Sequence, residues 1–87
     1  MEKDQERRRV YVKVNADHNV DGSIHPNCIT FENGKRYEID RVIHICRAAA
    51  TRAGGTGIRY TVRILGTETF LFDEENGRWF VEAKCRG

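Results

Sequence analysis

Asp17, Asn19 and Asp21 stand at alternate positions and are followed by Gly22, so "DHNVDGSI" repeats the front half of a calcium-binding loop. Such loops take oxygen ligands at alternating positions and close on a bidentate Glu. Here the closing position is Cys28, and a thiol does not replace a bidentate carboxylate on a hard cation. The stretch therefore reads as a turn between strands, in which Asp and Asn bond their own backbone and Gly takes a positive φ.

His25-x-x-Cys28, His44-x-Cys46 and Cys85 supply ligands suited to zinc. If residues 44–46 are extended, His44 and Cys46 share a face, and Cys28, His44 and Cys46 are the set a small metal site would use. Structural zinc sites favour tight paired spacings that build a tetrahedron, and no Cys-x-x-Cys is present. Buried free cysteines acting as small apolar residues are the simpler reading, and no cofactor is expected.

The run "RAGGTGIRY" lacks the Lys of a phosphate-binding P-loop and is followed by a strand pattern rather than a helix. It reads as a flexible reversal. No signature pairs His18, His25 or His44 with a nucleophilic cysteine. Glu74 and Glu75 are adjacent in a turn and read as a solvated acidic tip. The sequence points to no enzymatic activity.

Basic and aromatic side chains offer a binding surface instead. Tyr11 and Lys13 alternate outward with Arg9, Arg59 and Arg63 project from one later strand, and Arg36, Arg41 and Arg78 fall near strand starts. If those strands are neighbours, Tyr11, Lys13, Arg36, Arg59 and Arg63 form a face that tracks a phosphate backbone and stacks a base. The competing reading is a soluble surface with blunted strand edges. Fifteen basic residues stand against thirteen acidic ones, a formal net charge of +2, whereas nucleic-acid domains usually carry a clear basic excess.

The elements that would position these groups follow a period of two. "RVYVKVNA" alternates Val10, Val12 and Val14 against Arg9, Tyr11 and Lys13, the pattern of a half-buried strand. After Pro26, "NCITFE" alternates again, and Asn33-Gly34 predicts a hairpin with a type I′ turn. "YEIDRVIHIC" carries both helical and strand spacing. Its β-branched residues favour a strand, bulged near Asp40-Arg41, with a helical turn near residues 47–52. "IRYTVRIL" alternates strictly, and Gly66-Thr67 predicts a type II′ turn into "ETFLF". "DEENG" turns the chain once more into "RWFVEAK". About six strands at near-regular spacing predict an all-β fold, a small partly open barrel of SH3-like or OB-like shape.

The stretches "DGSIHPNCITFENGKRYEIDRVIHI", "GTGIRYTVRI" and "GRWFVEAK" resemble a family of small bacterial β-rich proteins of unknown function. The shared features are an Asp-Gly-x-x-x-Pro lead-in, an aromatic-x-x-Gly-x-x-Tyr hairpin, a basic-aromatic strand and a closing Gly-x-Trp. The resemblance spans Asp21 to about Lys84. It implies a fold and no reaction, because its motifs are those of turns and core.

Eighty-seven residues allow one domain. The charged run "MEKDQERRR" predicts a solvated arm over residues 1–8, followed by a single domain over residues 9–86. That run has no apolar segment of the signal-peptide kind, and nothing later is long enough to span a membrane. With an odd count of three cysteines, the expectation is a cytoplasmic monomer with free thiols. Its expected role is a non-enzymatic binding or adaptor module that contacts a protein partner through an exposed strand edge or loop. A nucleic-acid partner and a zinc-binding domain are the alternatives.

Overall fold

The structure, a computed structural model, describes residues 7–49 and 56–84. The alternating runs become seven strands: β1 (Arg7–His18), β2 (Ile24–Thr30), β3 (Arg36–Glu38), β4 (Arg41–Ala49), β5 (Thr56–Ile64), β6 (Thr67–Asp73) and β7 (Trp79–Lys84). All neighbours are antiparallel, in the order β3-β2-β1-β7-β6-β5-β4, and the sheet curls into a half-barrel. β1 is the corner. Its first half pairs with β7 from Arg7↔Lys84 to Val12↔Trp79, and its second half pairs with β2 from Lys13↔Thr30 to His18↔Ile24.

Seven strands form where six are expected, because the segment after the Asn33-Gly34 hairpin breaks at Ile39-Asp40. The Ile39 N–H donates to the Asn27 carbonyl on β2, while the Asp40 N–H donates to the Arg63 carbonyl on β5. Two successive residues thus reach opposite sides of the curl and close one end of it. The expected bulge lies two residues later than predicted. Val42 opposes Val62 and His44 opposes Thr61, leaving Ile43 as the extra residue. β4 then stays extended through Ala49, so residues 47–49 are strand and not the expected helical turn; residues 50–52 lie outside the described part. At the other end of the chain, β1 begins at Arg7, inside the span expected to be an arm.

The turns fall at or within one residue of their predicted places but not with their predicted types. Asn19–Ser23 and Phe31–Lys35 share one geometry, with the first N–H bonded to the fifth carbonyl and the glycine N–H to the first carbonyl. In each turn only the glycine is left-handed (Gly22 at 91°, Gly34 at 90°), so the Asn33-Gly34 hairpin is not type I′. Between β5 and β6 the two-residue loop is Leu65-Gly66, not Gly66-Thr67. Both are left-handed, at 52° and 78°, and Ile64 pairs with Thr67. That is type I′ geometry, reached with a leucine where glycine or asparagine is usual.

The curl buries its inner face around Ile29, Tyr60, Val62, Leu71 and Val81, against which Val10, Val12, Val14 and Trp79 pack. A second, smaller core lies on the outer face. Phe72 and Phe80 stack at 4.9 Å and are 1% and 0% exposed, with Tyr11 edge-on to Phe80. Among the described residues there is no helix, and so none long and apolar enough to cross a membrane.

Candidate functional site

On the outer face the β-ladders align Cys46, Arg59, Phe72, Phe80 and Tyr11 into one cross-strand row. Of the expected basic-aromatic residues, Tyr11, Arg59 and Arg63 on this face already have partners. The Arg78 guanidinium lies 4.0 Å from the Tyr11 ring centroid, and the Tyr11 hydroxyl donates to Glu74 Oε2 at 3.0 Å. Arg9 meets the same carboxylate at 3.3 Å. Arg59 covers Phe70 at 4.4 Å, and Arg63 pairs with Glu68 at 3.5 Å. No exposed ring remains in this row for a base to stack on.

The five predicted residues also divide into two groups. Lys13 and Arg36 flank Thr30 on one rung of β1, β2 and β3, beside a cleft of about 280 Å³. Arg59 and Arg63 lie on β5, with β7 and β6 between the groups. Tyr11, on β1, shares the cross-strand row of Arg59 and does not line the cleft beside Lys13 and Arg36.

Metal-ligand candidates are likewise dispersed. His44 and Cys46 do share the outer face of β4, but Cys28 is buried on β2, with four strands between. Among the described residues no three His, Cys, Asp or Glu side chains cluster to hold a metal; Cys85 lies outside them. The stretch from Asn19 to Ser23 is a turn, while Asp17 and His18 still belong to β1. Asp21 Oδ1 accepts from the Ser23 backbone N–H at 2.9 Å and from its hydroxyl at 2.7 Å. Those two bonds, the backbone one first, hold the Asp21 carboxyl below its ordinary range.

Of the two strands that end the sheet among the described residues, β3 and β4, β4 presents the longer free edge. This nine-residue strand pairs only with β5 among the described residues and ends the sheet. A strand at a sheet edge presents unpaired N–H and C=O groups along its outer side. Ile43 and Ile45 on it are 41% and 49% exposed. Ile45 also borders an open cavity of about 480 Å³, whose far wall is Gly22, Ser23 and Ile24 and whose floor is Ile58 and Tyr60. This is the seam at which the half-barrel fails to close. Arg47 anchors the end of β4 beside the seam through a two-pronged ion pair with Glu75, at 3.0 and 3.2 Å. The hydrogen bond from Arg47 holds the Glu75 carboxyl below its ordinary range, and the same contact raises the guanidinium.

Charge singles out the same hairpin. From Arg41 to Thr67 the chain carries Arg41, Arg47, Arg52, Arg59 and Arg63 and no Asp or Glu. The other ten basic residues therefore face all thirteen acids elsewhere, and the modest net charge of +2 conceals a basic hairpin on an acidic remainder. Arg41 stands directly opposite Arg63 and has no carboxylate partner among the described residues. Arg59 Nε is buried without a hydrogen bond. Counting charge along segments, rather than over the whole chain, is the sequence signal that would have found this edge.

Comparison with protein-family models, with curated proteins and with solved structures finds no match.

Proposed function

We propose that the protein is a non-enzymatic binding module that receives an extended segment of a protein partner as an added strand on β4. The observation that carries this reading is the long β4 edge, with β5 as its one neighbour among the described residues, with Ile43 and Ile45 exposed on it and with Ile45 beside an open seam. Strand addition uses the unpaired main chain for affinity and alternate side-chain positions for selectivity. Small partly open barrels of SH3-like or OB-like outline host many kinds of partner, so the function rests on the site and not on the outline. The resemblance to small bacterial β-rich proteins fits a module of this kind and adds no reaction.

A pull-down with the wild-type chain and with Ile45→Lys tests the reading, with bound complexes then mapped by amide hydrogen exchange. The expected result is a partner that protects amides of residues 41–49 and is lost from the variant. A partner retained by Ile45→Lys, with β4 unprotected, would sink the proposal.

A further inference from the structure

We infer that the segment added to β4 is acidic, with carboxylates alternating with apolar residues; this deepens, and rests on, the strand-addition reading. β4 contributes Arg41, His44 and Arg47 and no acid, and its neighbour β5 contributes Arg59 and Arg63 and no acid. Among the described residues, the only carboxylates bonded to side chains of this pair of strands reach in from other elements, Glu75 to Arg47 and Glu68 to Arg63. The Leu65 N–H, one residue beyond β5, donates to the Asp40 carboxylate, which holds that group at the turn. Arg41 is left opposite another arginine, and like charges directly opposed on a ladder repel. An incoming carboxylate beside Arg41 and Arg63 relieves that repulsion, and it costs little desolvation because both side chains are exposed.

The two faces of β4 set the alternation. On one side of the ladder Val42 and Ile45 stand with Val62 and Tyr60, toward the seam; on the other, Arg41, His44 and Cys46 stand with Arg63, Thr61 and Arg59. Side chains of an added strand alternate in the same way. Its apolar residues therefore meet Ile45 and the seam, and its carboxylates meet the basic face. A second copy of this chain does not fit, because antiparallel β4–β4 pairing sets one basic, acid-free edge against another. A nucleic acid fits less well: it cannot use the unpaired main chain as a strand does, and the rings of this face are buried or covered by arginine.

The experiment is an NMR titration of the ¹⁵N-labelled chain at low salt with four probes. They are a peptide of about nine residues alternating Val and Glu, its Val-Ser and Val-Lys counterparts, and an oligothymidylate of similar length, the peptide length matching the nine residues of β4. The expected result is shift changes on residues 41–49 with the Val-Glu peptide, and binding about tenfold weaker for Arg41→Glu. Equal binding of the Val-Ser and Val-Glu peptides to β4 overturns the acidic inference and leaves strand addition standing. No peptide on β4 removes both. Shifts on β4 and β5 with the oligothymidylate alone assign the edge to nucleic acid and overturn the peptide.

Discussion

Arg41 on β4 and Arg63 on β5 are direct cross-strand partners, and among the described residues only Arg63 has a carboxylate, Glu68, within ion-pair distance. Opposed like charges on a ladder cost on the order of 0.2–1 kcal/mol. Arg41→Glu replaces repulsion with attraction and is expected to raise stability by about 0.5 kcal/mol at low salt, while weakening the acidic peptide. The stability gain should fade as salt shortens the range of these exposed charges. Urea denaturation at low and high ionic strength reads both effects. A variant less stable than wild type at low salt would show that the pair is not repulsive.

Leu65 is held at a φ of 52° in the β5–β6 turn, supported by the bond from its N–H to Asp40 Oδ2 at 3.1 Å. The left-handed region costs an ordinary L-residue roughly 1–2 kcal/mol, because its Cβ crowds the following carbonyl. Asn tolerates that region, and Asn-Gly is the favoured type I′ pair. Leu65 is 77% exposed, so its side chain contributes little burial. Leu65→Asn is expected to stabilise the fold by about 1 kcal/mol, read as a higher urea midpoint at unchanged slope. No gain would mean that Leu65 packs on the neighbouring apolar cleft, lined by Phe31 and Tyr37, more strongly than its exposure implies.

The strands were legible wherever one face is buried and the other is wet, as in Val10-Val12-Val14 and Ile58-Tyr60-Val62-Ile64. Turn positions were legible too, because Asp21-Gly22 and Asn33-Gly34 act through local bonds. Their geometry was not, since it depends on which residues the strands finally pair. The break at Ile39-Asp40 was hidden because it is made by distant partners, Asn27 and Arg63. Bulging at Ile43 was hidden by the same kind of dependence, since only the pairing with β5 reveals the extra residue. Phe72 and Phe80 stand on the outer face, and their burial comes from stacking across β6 and β7, which alternation alone does not show. The five basic-aromatic candidates were read correctly as outward and wrongly as one surface, because strand order cannot be read from alternation. The acid-free run from Arg41 to Thr67 is legible in the sequence once charge is counted along segments.

Gly57 belongs to β5 and not to a loose glycine linker. A Cβ built on it would lie 2.3 Å from the Asp73 carbonyl oxygen, a backbone atom that cannot swing aside. Gly57→Ala must therefore push β5 from the start of the β6–β7 turn. Overpacking of this kind typically costs about 1–3 kcal/mol. The expected outcome is a lower urea midpoint, with the largest chemical-shift changes at Asp73 and Glu74. A neutral Gly57→Ala would show that the contact relaxes without strain.

Tyr60 is 4% exposed at the base of the seam, in the same cavity as Asp73 and Glu75. Burial pushes its hydroxyl above the ordinary value of 10.0, and the charges of Asp73 and then Glu75 push it the same way. Because the folded state holds this proton more tightly than the unfolded chain, the contribution to stability is fully present below about pH 10. It is lost as pH rises through the unfolded value toward the higher folded one. Tyr60→Phe keeps the ring and deletes the ionising group, so its stability should fall less steeply than that of wild type over that alkaline range. Urea denaturation at stepped pH from about 8 to about 11 measures the two limbs. Parallel limbs would mean that Tyr60 ionises as freely in the folded protein as in the unfolded chain, and that the seam gives water and hydroxide easy access to its floor.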